Sequence, residues 1–141
     1  MIAVDTNVLV YAHRSDAPHH ERAARALTSL ADSRWAVPWP CVHEFLAVVT
    51  NPRIFATPTP VATAVAAMDA AQAGGAVFLS EAGDHLSRLS ELLETSGVAG
   101  PKVHDARIAA VCLGHGISEL WTADREFGYF PALRTRNPLV G

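Results

Sequence analysis

Short apolar runs alternate with longer segments of helical periodicity along the whole chain. The runs that predict strands are residues 2–4, 35–37, 76–80 and 119–122, with residues 133–136 as a candidate fifth. The segments that predict helices are residues 18–31, 41–50, 61–73, 84–95 and 104–114. Strands that alternate with helices favour right-handed crossovers and parallel pairing. We therefore expect an α/β fold with a mainly parallel sheet of four to five strands.

The first strand is followed by three polar residues. Asp5, Thr6 and Asn7 predict a turn after residues 2–4, and the apolar run resumes at residues 8–10. The whole apolar stretch is interrupted by these polar residues, lacks a preceding basic region and is too short to span a bilayer. We therefore expect no membrane partner.

The 141 residues have the length of one domain, and no repeat or long linker divides them. We expect a single domain over residues 1–141. The two cysteines, Cys41 and Cys112, are isolated and form no disulfide framework or zinc motif. This pattern favours a reducing, cytoplasmic location.

Four acidic residues occupy positions where strands end or helices begin. Asp5 follows the first predicted strand and Asp124 follows the fourth, while Glu44 and Asp105 lie in the first turns of helices. The carboxyl ends of parallel strands meet at one edge of a sheet, where ligands bind. Each acid also has a purely structural interpretation, as a turn former, a helix cap or a favourable charge at a helix N-terminus.

A cluster of these acids would need neutralisation. Two carboxylates about 4 Å apart repel by roughly 4 kcal/mol at an effective dielectric near 20. Carboxylate oxygens suit hard divalent cations, and Mg²⁺ or Mn²⁺ retains water and can accept phosphate oxygens. The pattern therefore indicates metal-assisted phosphodiester hydrolysis.

Four ordered motifs resemble those of PIN-domain ribonucleases. They are residues 2–10, 40–49, 104–110 and 120–127, and their order and spacing are similar to those of the compact VapC-type toxins of bacterial toxin–antitoxin pairs. The resemblance implies a three-layer α/β/α fold with an acidic quartet. The quartet and its polar support would be Asp5, Glu44, Asp105 and Asp124 with Thr6, Asn7 and Thr122.

The resemblance also implies a mechanism and partners. Asp5, Asp105 and Asp124 would hold Mg²⁺ directly or through water, and Glu44 would ligate the ion or orient the attacking water. Mn²⁺ is an expected substitute for Mg²⁺. The implied partners are an RNA substrate, a small antitoxin protein and a second copy of the chain in a homodimer.

Basic residues that flank the acidic motifs are candidate contacts to the RNA backbone. Ten of the 11 basic residues are arginines, whose rigid fork suits phosphate groups, although the net charge is −3. The candidates are Arg14, Arg53, Lys102, Arg107 and Arg125. Ordinary surface charge is the alternative interpretation of each one.

Two other functions compete with the nuclease. A phosphatase of the haloacid-dehalogenase type also places an aspartate after its first strand, but its acid/base residue would fall at position 7, where this chain has Asn7. A non-catalytic PIN-fold binding module is the second alternative. The complete acidic set argues against it, and failure of a divalent metal to stabilise the fold would argue for it.

Overall fold

Five short strands form one parallel sheet in the computed structural model, which describes residues 1–141. They are β1 (Ile2–Val4), β2 (Trp35–Pro38), β3 (Ala76–Leu79), β4 (Glu119–Trp121) and β5 (Thr135–Arg136). The spatial order is β3-β2-β1-β4-β5, and every neighbouring pair is parallel. The predicted α/β class is confirmed, and the candidate fifth strand is present as a two-residue edge strand.

Six α-helices cover the sheet. They are α1 (Thr6–His13), α2 (His20–Ser29), α3 (Trp39–Val49), α4 (Val61–Ala73), α5 (His85–Ser96) and α6 (Val103–Gly114), with 3₁₀ helices at Gly100–Lys102 and Arg125–Tyr129. Helix α1 packs against α2 and α3, and α5 packs against α6. The strand order reverses direction after β3, so right-handed crossovers place α5 and α6 on the face opposite the earlier helices. The fold is therefore the expected three-layer α/β/α arrangement.

The predicted turn at residues 5–7 is wrong. Asp5 has extended backbone geometry and caps α1, because its side chain accepts a hydrogen bond from the Thr6 amide. Helix α1 therefore begins directly after β1, and the second apolar run, Val8 to Val10, is buried on this helix. A short continuous apolar run has no periodicity that separates strand from helix, but an aspartate before it is a known N-cap signal.

A cluster of 30 buried apolar residues forms the core and involves both sides of the sheet. Central strand β1 contributes Ala3 and Val4, which are fully buried, and α6 contributes an alanine-rich face that allows close approach to the strands. No helix combines the length and the apolar character needed to cross a membrane. The core fixes the central strands, whose carboxyl ends carry the acidic residues.

The strand order changes direction between β1 and β4. The chain runs outward from β1 to β3 and then returns to the other side of β1 with β4. Ligand crevices of open parallel sheets form at such a point, beyond the carboxyl ends of the strands. Asp5 and Asp124 follow the two strands that meet there.

Candidate active site

One open cavity of about 290 Å³ lies beyond the carboxyl ends of β1 and β4. It is lined by all four predicted acids, Asp5, Glu44, Asp105 and Asp124, together with Thr6 and Asn7. The acids come from the end of β1, from α3, from α6 and from the segment after β4. Residues that are far apart in the sequence thus converge on one site, as the strand-end argument predicts.

Asp5 is the most tightly held of the four carboxylates. Its Oδ1 accepts hydrogen bonds from the Thr6 amide at 2.8 Å and from the Cys41 thiol at 3.4 Å. Its Oδ2 accepts from the Thr122 hydroxyl at 2.7 Å and from the Asn7 amide group at 3.4 Å. Both oxygens therefore have fixed positions before any ligand arrives.

The pKa of Asp5 is raised above its usual value of 3.8, because burial disfavours the charged carboxylate. The hydrogen bonds from Thr122, Thr6 and Cys41 oppose this effect. Only 5% of the residue is exposed, so burial of the charge outweighs these contacts. A carboxylate in this position gains from a nearby cation.

Thr122 connects Asp5 to Asp124. Its hydroxyl donates to Asp5 Oδ2 and accepts from the Asp124 amide at 3.0 Å. Asn7 adds a second link, since its Oδ1 accepts from the Ala123 amide at 3.1 Å. The predicted supporting residues thus fix the segment after β4 against the start of α1.

Asp124 has both a capping contact and a place in the cavity. Its Oδ1 accepts from the Glu126 amide at 2.8 Å and caps the 3₁₀ helix Arg125–Tyr129. The structural interpretation of this residue is therefore correct. It does not exclude the functional one, because the same side chain lines the cavity.

Glu44 projects from α3 at the rim of the cavity. Its Oε2 accepts a hydrogen bond from the Thr6 hydroxyl at 3.1 Å. The i+3 and i+4 positions of Ala47 and Val48 suggest that Glu44 lies on a buried apolar stripe, but this interpretation is wrong. Glu44 and Ala47 are exposed, and the buried face of α3 carries Cys41 and Phe45. Glu44 and Val48 lie on the face of α3 that lines the cavity.

Asp105 is the acid with the least hydrogen-bond support. It precedes the buried stripe of α6 that contains Ile108, Ala109 and Cys112. Burial raises the pKa of Asp105 above 3.8, and the negative charges around it raise the pKa further. In decreasing order of effect, these charges belong to Asp124, Asp5, Glu126 and Glu44.

The donor set fits a hard divalent cation. The cavity offers carboxylate, hydroxyl and amide oxygens, and the neighbouring negative charges raise the pKa of Asp105. No group of three or more Asp, Glu, His or Cys side chains is close enough to form a complete ligand set for a metal ion. A cation there would need water ligands or a side-chain shift in addition to the carboxylates.

The five basic candidates fall into two groups. Three are paired with acids of the same chain, and these pairs are Arg14 with Asp16, Lys102 with Glu126 and Arg107 with Glu81. Arg53 and Arg125 are exposed and form no ion pair. Contact of these side chains with RNA stays a prediction.

The sequence did not point to several residues of the site. The thiol of Cys41 donates to Asp5, although its place in the second motif was visible. Tyr11, Ile54 and Phe55 form part of the apolar wall of the cavity. Ile54 and Phe55 belong to the loop after α3. Because this loop has no hydrophobic periodicity, no sequence pattern predicts that they line the cavity.

The phosphatase alternative finds no support in this geometry. Asn7 stands where a second acid would be needed, and its side-chain amide donates to Asp5. Its oxygen is occupied by the Ala123 amide. This residue positions the carboxylate and cannot act as an acid or base.

Comparison with known proteins places these motifs in a family. A family model described as PIN domain matches residues 2–133. VapC ribonuclease Mb2897 of Mycobacterium bovis is 38% identical over 144 residues, covering 100% of this chain and 97% of the relative. Ribonuclease VapC31 of Mycobacterium tuberculosis is 34% identical, covering 98% of this chain and 99% of the relative.

Solved structures share the fold. VapBC2 from Rickettsia felis, bound to a DNA fragment from its promoter, matches with a TM-score of 0.70 at 21% identity and covers 97% of this chain and 98% of that chain. VapC20 of Mycobacterium tuberculosis, a toxin that cleaves the sarcin–ricin loop, matches with a TM-score of 0.67 at 18% identity, covering 94% and 95%. The family model spans most of the chain and the relatives cover its full length, so the chain belongs to the PIN-domain family.

Proposed function

We propose that this chain is a Mg²⁺-dependent endoribonuclease and the toxin of a VapBC-type toxin–antitoxin pair. The observation that carries the proposal is the convergence of Asp5, Glu44, Asp105 and Asp124 on one cavity at the switch point of the sheet. Full-length relatives at 38% and 34% identity that are named ribonucleases support the activity. The substrate is RNA, and the reaction is hydrolysis of a phosphodiester bond.

In this proposal Asp5, Asp105 and Asp124 hold the cation, directly or through water. When bound, Mg²⁺ supplies positive charge that lowers the pKa of water and offsets charge on phosphoryl oxygens. Thr6 fixes Oε2 of Glu44 and leaves Oε1 free to orient the attacking water. The water loses a proton as its oxygen bonds to phosphorus, the bond to the 3′ oxygen breaks, and that oxygen gains a proton. The products are a 5′-phosphate and a 3′-hydroxyl.

Similar solved structures support one of the two proposed protein partners. Several similar structures are VapBC or FitAB assemblies, which supports a small antitoxin as partner of this chain. The homodimer is a further part of the proposal. Co-expression with a short reading frame adjacent to the gene, followed by measurement of the mass of the purified complex, tests both partners.

The direct test of activity uses purified protein and total RNA. We expect cleavage with Mg²⁺ and no cleavage in EDTA, and mapped ends should carry 5′-phosphates. Attack by the 2′-hydroxyl would leave 5′-hydroxyl ends instead, and this result would contradict the proposed mechanism. Asp5→Asn should abolish cleavage, whereas Asp69→Asn, which removes an exposed acid of α4 outside the cavity, should cleave like the wild type.

A further inference from the structure

Three arginines share a surface pocket that is separate from the acidic cavity. Arg22 and Arg25 come from α2 and Arg136 from β5, and we call these three residues the arginine patch. All three are exposed, and no acidic side chain lines the pocket. The patch therefore concentrates positive charge in a chain whose net charge is −3.

Two of the three guanidinium groups are held in place. Arg22 donates from Nη1 to the backbone carbonyl of Leu139 at 3.1 Å and to an oxygen of Gly141, the last residue of the sequence, at 3.3 Å. The Arg136 guanidinium lies over the Trp121 ring, 5.6 Å from its centroid. Fixed arginines lose less side-chain freedom when they bind an anion than freely rotating ones do. Unlike Arg14, Lys102 and Arg107, neither Arg25 nor Arg136 pairs with a carboxylate.

The patch and the acidic cavity share no lining residue, but residues next to each other in the chain connect them. Trp121 lines the patch, and the next residue, Thr122, donates to Asp5 in the cavity. The backbone also connects the two places, since the Thr122 amide donates to the Arg136 carbonyl at 2.9 Å. Four residues of α2 line the patch, so it lies on the face of the sheet that α2 covers.

We propose that the arginine patch binds the phosphate backbone of the RNA strand where it leaves the acidic cavity. The inference rests on the proposed function, because it gives the same substrate a second contact surface. A polyanion meets repulsion from the four carboxylates and needs positive charge nearby. The patch supplies this charge without contacting the scissile bond, and it binds phosphates independently of base sequence.

Salt-dependent binding tests the patch. The probe is a fluorescent, random-sequence 20-nucleotide RNA, and all proteins carry Asp5→Asn so that the probe stays intact. The triple variant Arg22→Gln, Arg25→Gln, Arg136→Gln should reduce the slope of log affinity against log salt by about 2, because each lost phosphate contact on a single strand removes about 0.7. At 0.15 M salt this corresponds to binding roughly 10- to 100-fold weaker.

Two controls separate charge from structure. Arg34→Gln removes an exposed arginine that directly precedes β2, at the amino ends of the strands and away from the patch. This variant should leave the slope unchanged. The triple Lys variant of the patch keeps the charge and should retain most of the slope. An unchanged slope in the triple Gln variant, or an equal loss in Arg34→Gln, would overturn the proposal.

The remaining outcomes distinguish the patch from the nuclease. Cleavage by the wild type together with patch-independent binding would refute the patch and leave the activity intact. Patch-dependent binding of RNA without any cleavage would support the patch and refute the activity. A single-stranded DNA of the same sequence serves as comparison, and patch dependence seen with DNA but absent with RNA would overturn the assignment to RNA.

Discussion

The Thr122 hydroxyl group links the carboxylate of Asp5 to the backbone amide of Asp124. Its proton points to Asp5 Oδ2, and its oxygen accepts the Asp124 amide. Thr122→Val keeps the shape of the side chain but removes both contacts. We expect cleavage to fall roughly 10- to 100-fold, the effect typical of outer residues that orient metal ligands. Initial rates on total RNA at saturating Mg²⁺ measure it.

The serine variant is the matched control. Thr122→Ser keeps the hydroxyl and should restore most of the activity. If the serine and valine variants were equally impaired, the methyl group and not the hydroxyl would matter, and the bridging role would be wrong. If both cleaved like the wild type, Thr122 would have no part in positioning Asp5.

Asp105 carries a negative charge that the metal-free fold does not compensate. No hydrogen bond to its side chain is present, and burial and neighbouring carboxylates raise its pKa above 3.8. Well below pH 3.8 the carboxyl group is protonated in both the folded and the unfolded chain. As the pH rises from 3.8 through the folded pKa, the unfolded chain releases its proton first, so the folded state loses stability. Above the folded pKa this loss is constant.

Asp105→Asn should therefore be more stable than the wild type in EDTA at pH 7, by a few degrees in Tm, and should not cleave RNA. The difference in Tm should shrink as the pH falls toward 4, because the wild-type carboxyl group then becomes neutral. Thermal melts of both proteins between pH 4 and pH 7 measure it. A difference that is absent, or that does not change with pH, would show that Asp105 experiences no repulsion in the folded chain.

At the scale of elements, periodicity and caps predicted most of the fold. Helix α4 has the predicted bounds, residues 61–73, because prolines precede it and two glycines follow it. Helix α1 was missed because its apolar run, residues 8–10, is too short to show a period. Tertiary packing buries that run on a helix, and the N-cap residue Asp5 was the only sequence signal for this helix.

Part of the site was equally predictable. The four acids were found because strand ends and helix starts carry positional information in a parallel sheet. The wall residues Ile54 and Phe55 were not, since a loop carries no period. The pairing of Arg107 with Glu81 was also hidden, because it joins residues that are 26 positions apart in the chain.

The loop after α3 is held against the cavity by Arg14. The Arg14 guanidinium donates two hydrogen bonds to the Asp16 carboxylate, at 2.9 and 2.6 Å, and one to the Thr59 hydroxyl at 3.2 Å. It also lies over the Phe55 ring, 4.1 Å from the ring centroid. Phe55 and Ile54, which lie next to Arg14, form part of the cavity wall. Arg14 therefore positions the loop that contributes Phe55 and Ile54 to the cavity wall.

Arg14→Lys keeps the charge but loses the bidentate and stacked geometry. We expect the loop to open about fivefold more often, corresponding to roughly 1 kcal/mol. Trypsin should then cleave after the exposed Arg53 faster by a similar factor, and KM for RNA should rise while kcat stays near the wild-type value. Mass spectrometry of the fragments measures the first effect.

The control replaces an arginine of a different ion pair. Arg88→Lys alters the surface pair with Asp84 on α5 and should change neither the cleavage after Arg53 nor KM. If trypsin cleaved Arg14→Lys after Arg53 at the wild-type rate, the contacts of Arg14 would not restrain the loop. A fall in kcat with KM unchanged would place Arg14 in the chemical step instead.

At the scale of the whole molecule, acidic and basic groups occupy different surfaces of the same sheet edge. Four carboxylates share the cavity, and the arginine patch lies beside it. In the proposed function, this separation would let a chain of net charge −3 bind a polyanion. It also concentrates repulsion in one place, so a cation that binds there must stabilise the entire fold.

Mg²⁺ should therefore raise the Tm of the wild type. A cation present at 100 times its Kd adds about 2.7 kcal/mol to the free energy of unfolding, which corresponds to roughly 5–15 °C for a domain of this size. Matched ionic strength with KCl corrects for general screening, and Mn²⁺ should act in the same way. Asp105→Asn starts from a higher Tm and should gain much less, because it has lost both the repulsion and a ligand. If neither Mg²⁺ nor Mn²⁺ changed the Tm of the wild type, a non-catalytic binding module would be favoured, since an ion that binds the folded chain shifts the unfolding equilibrium.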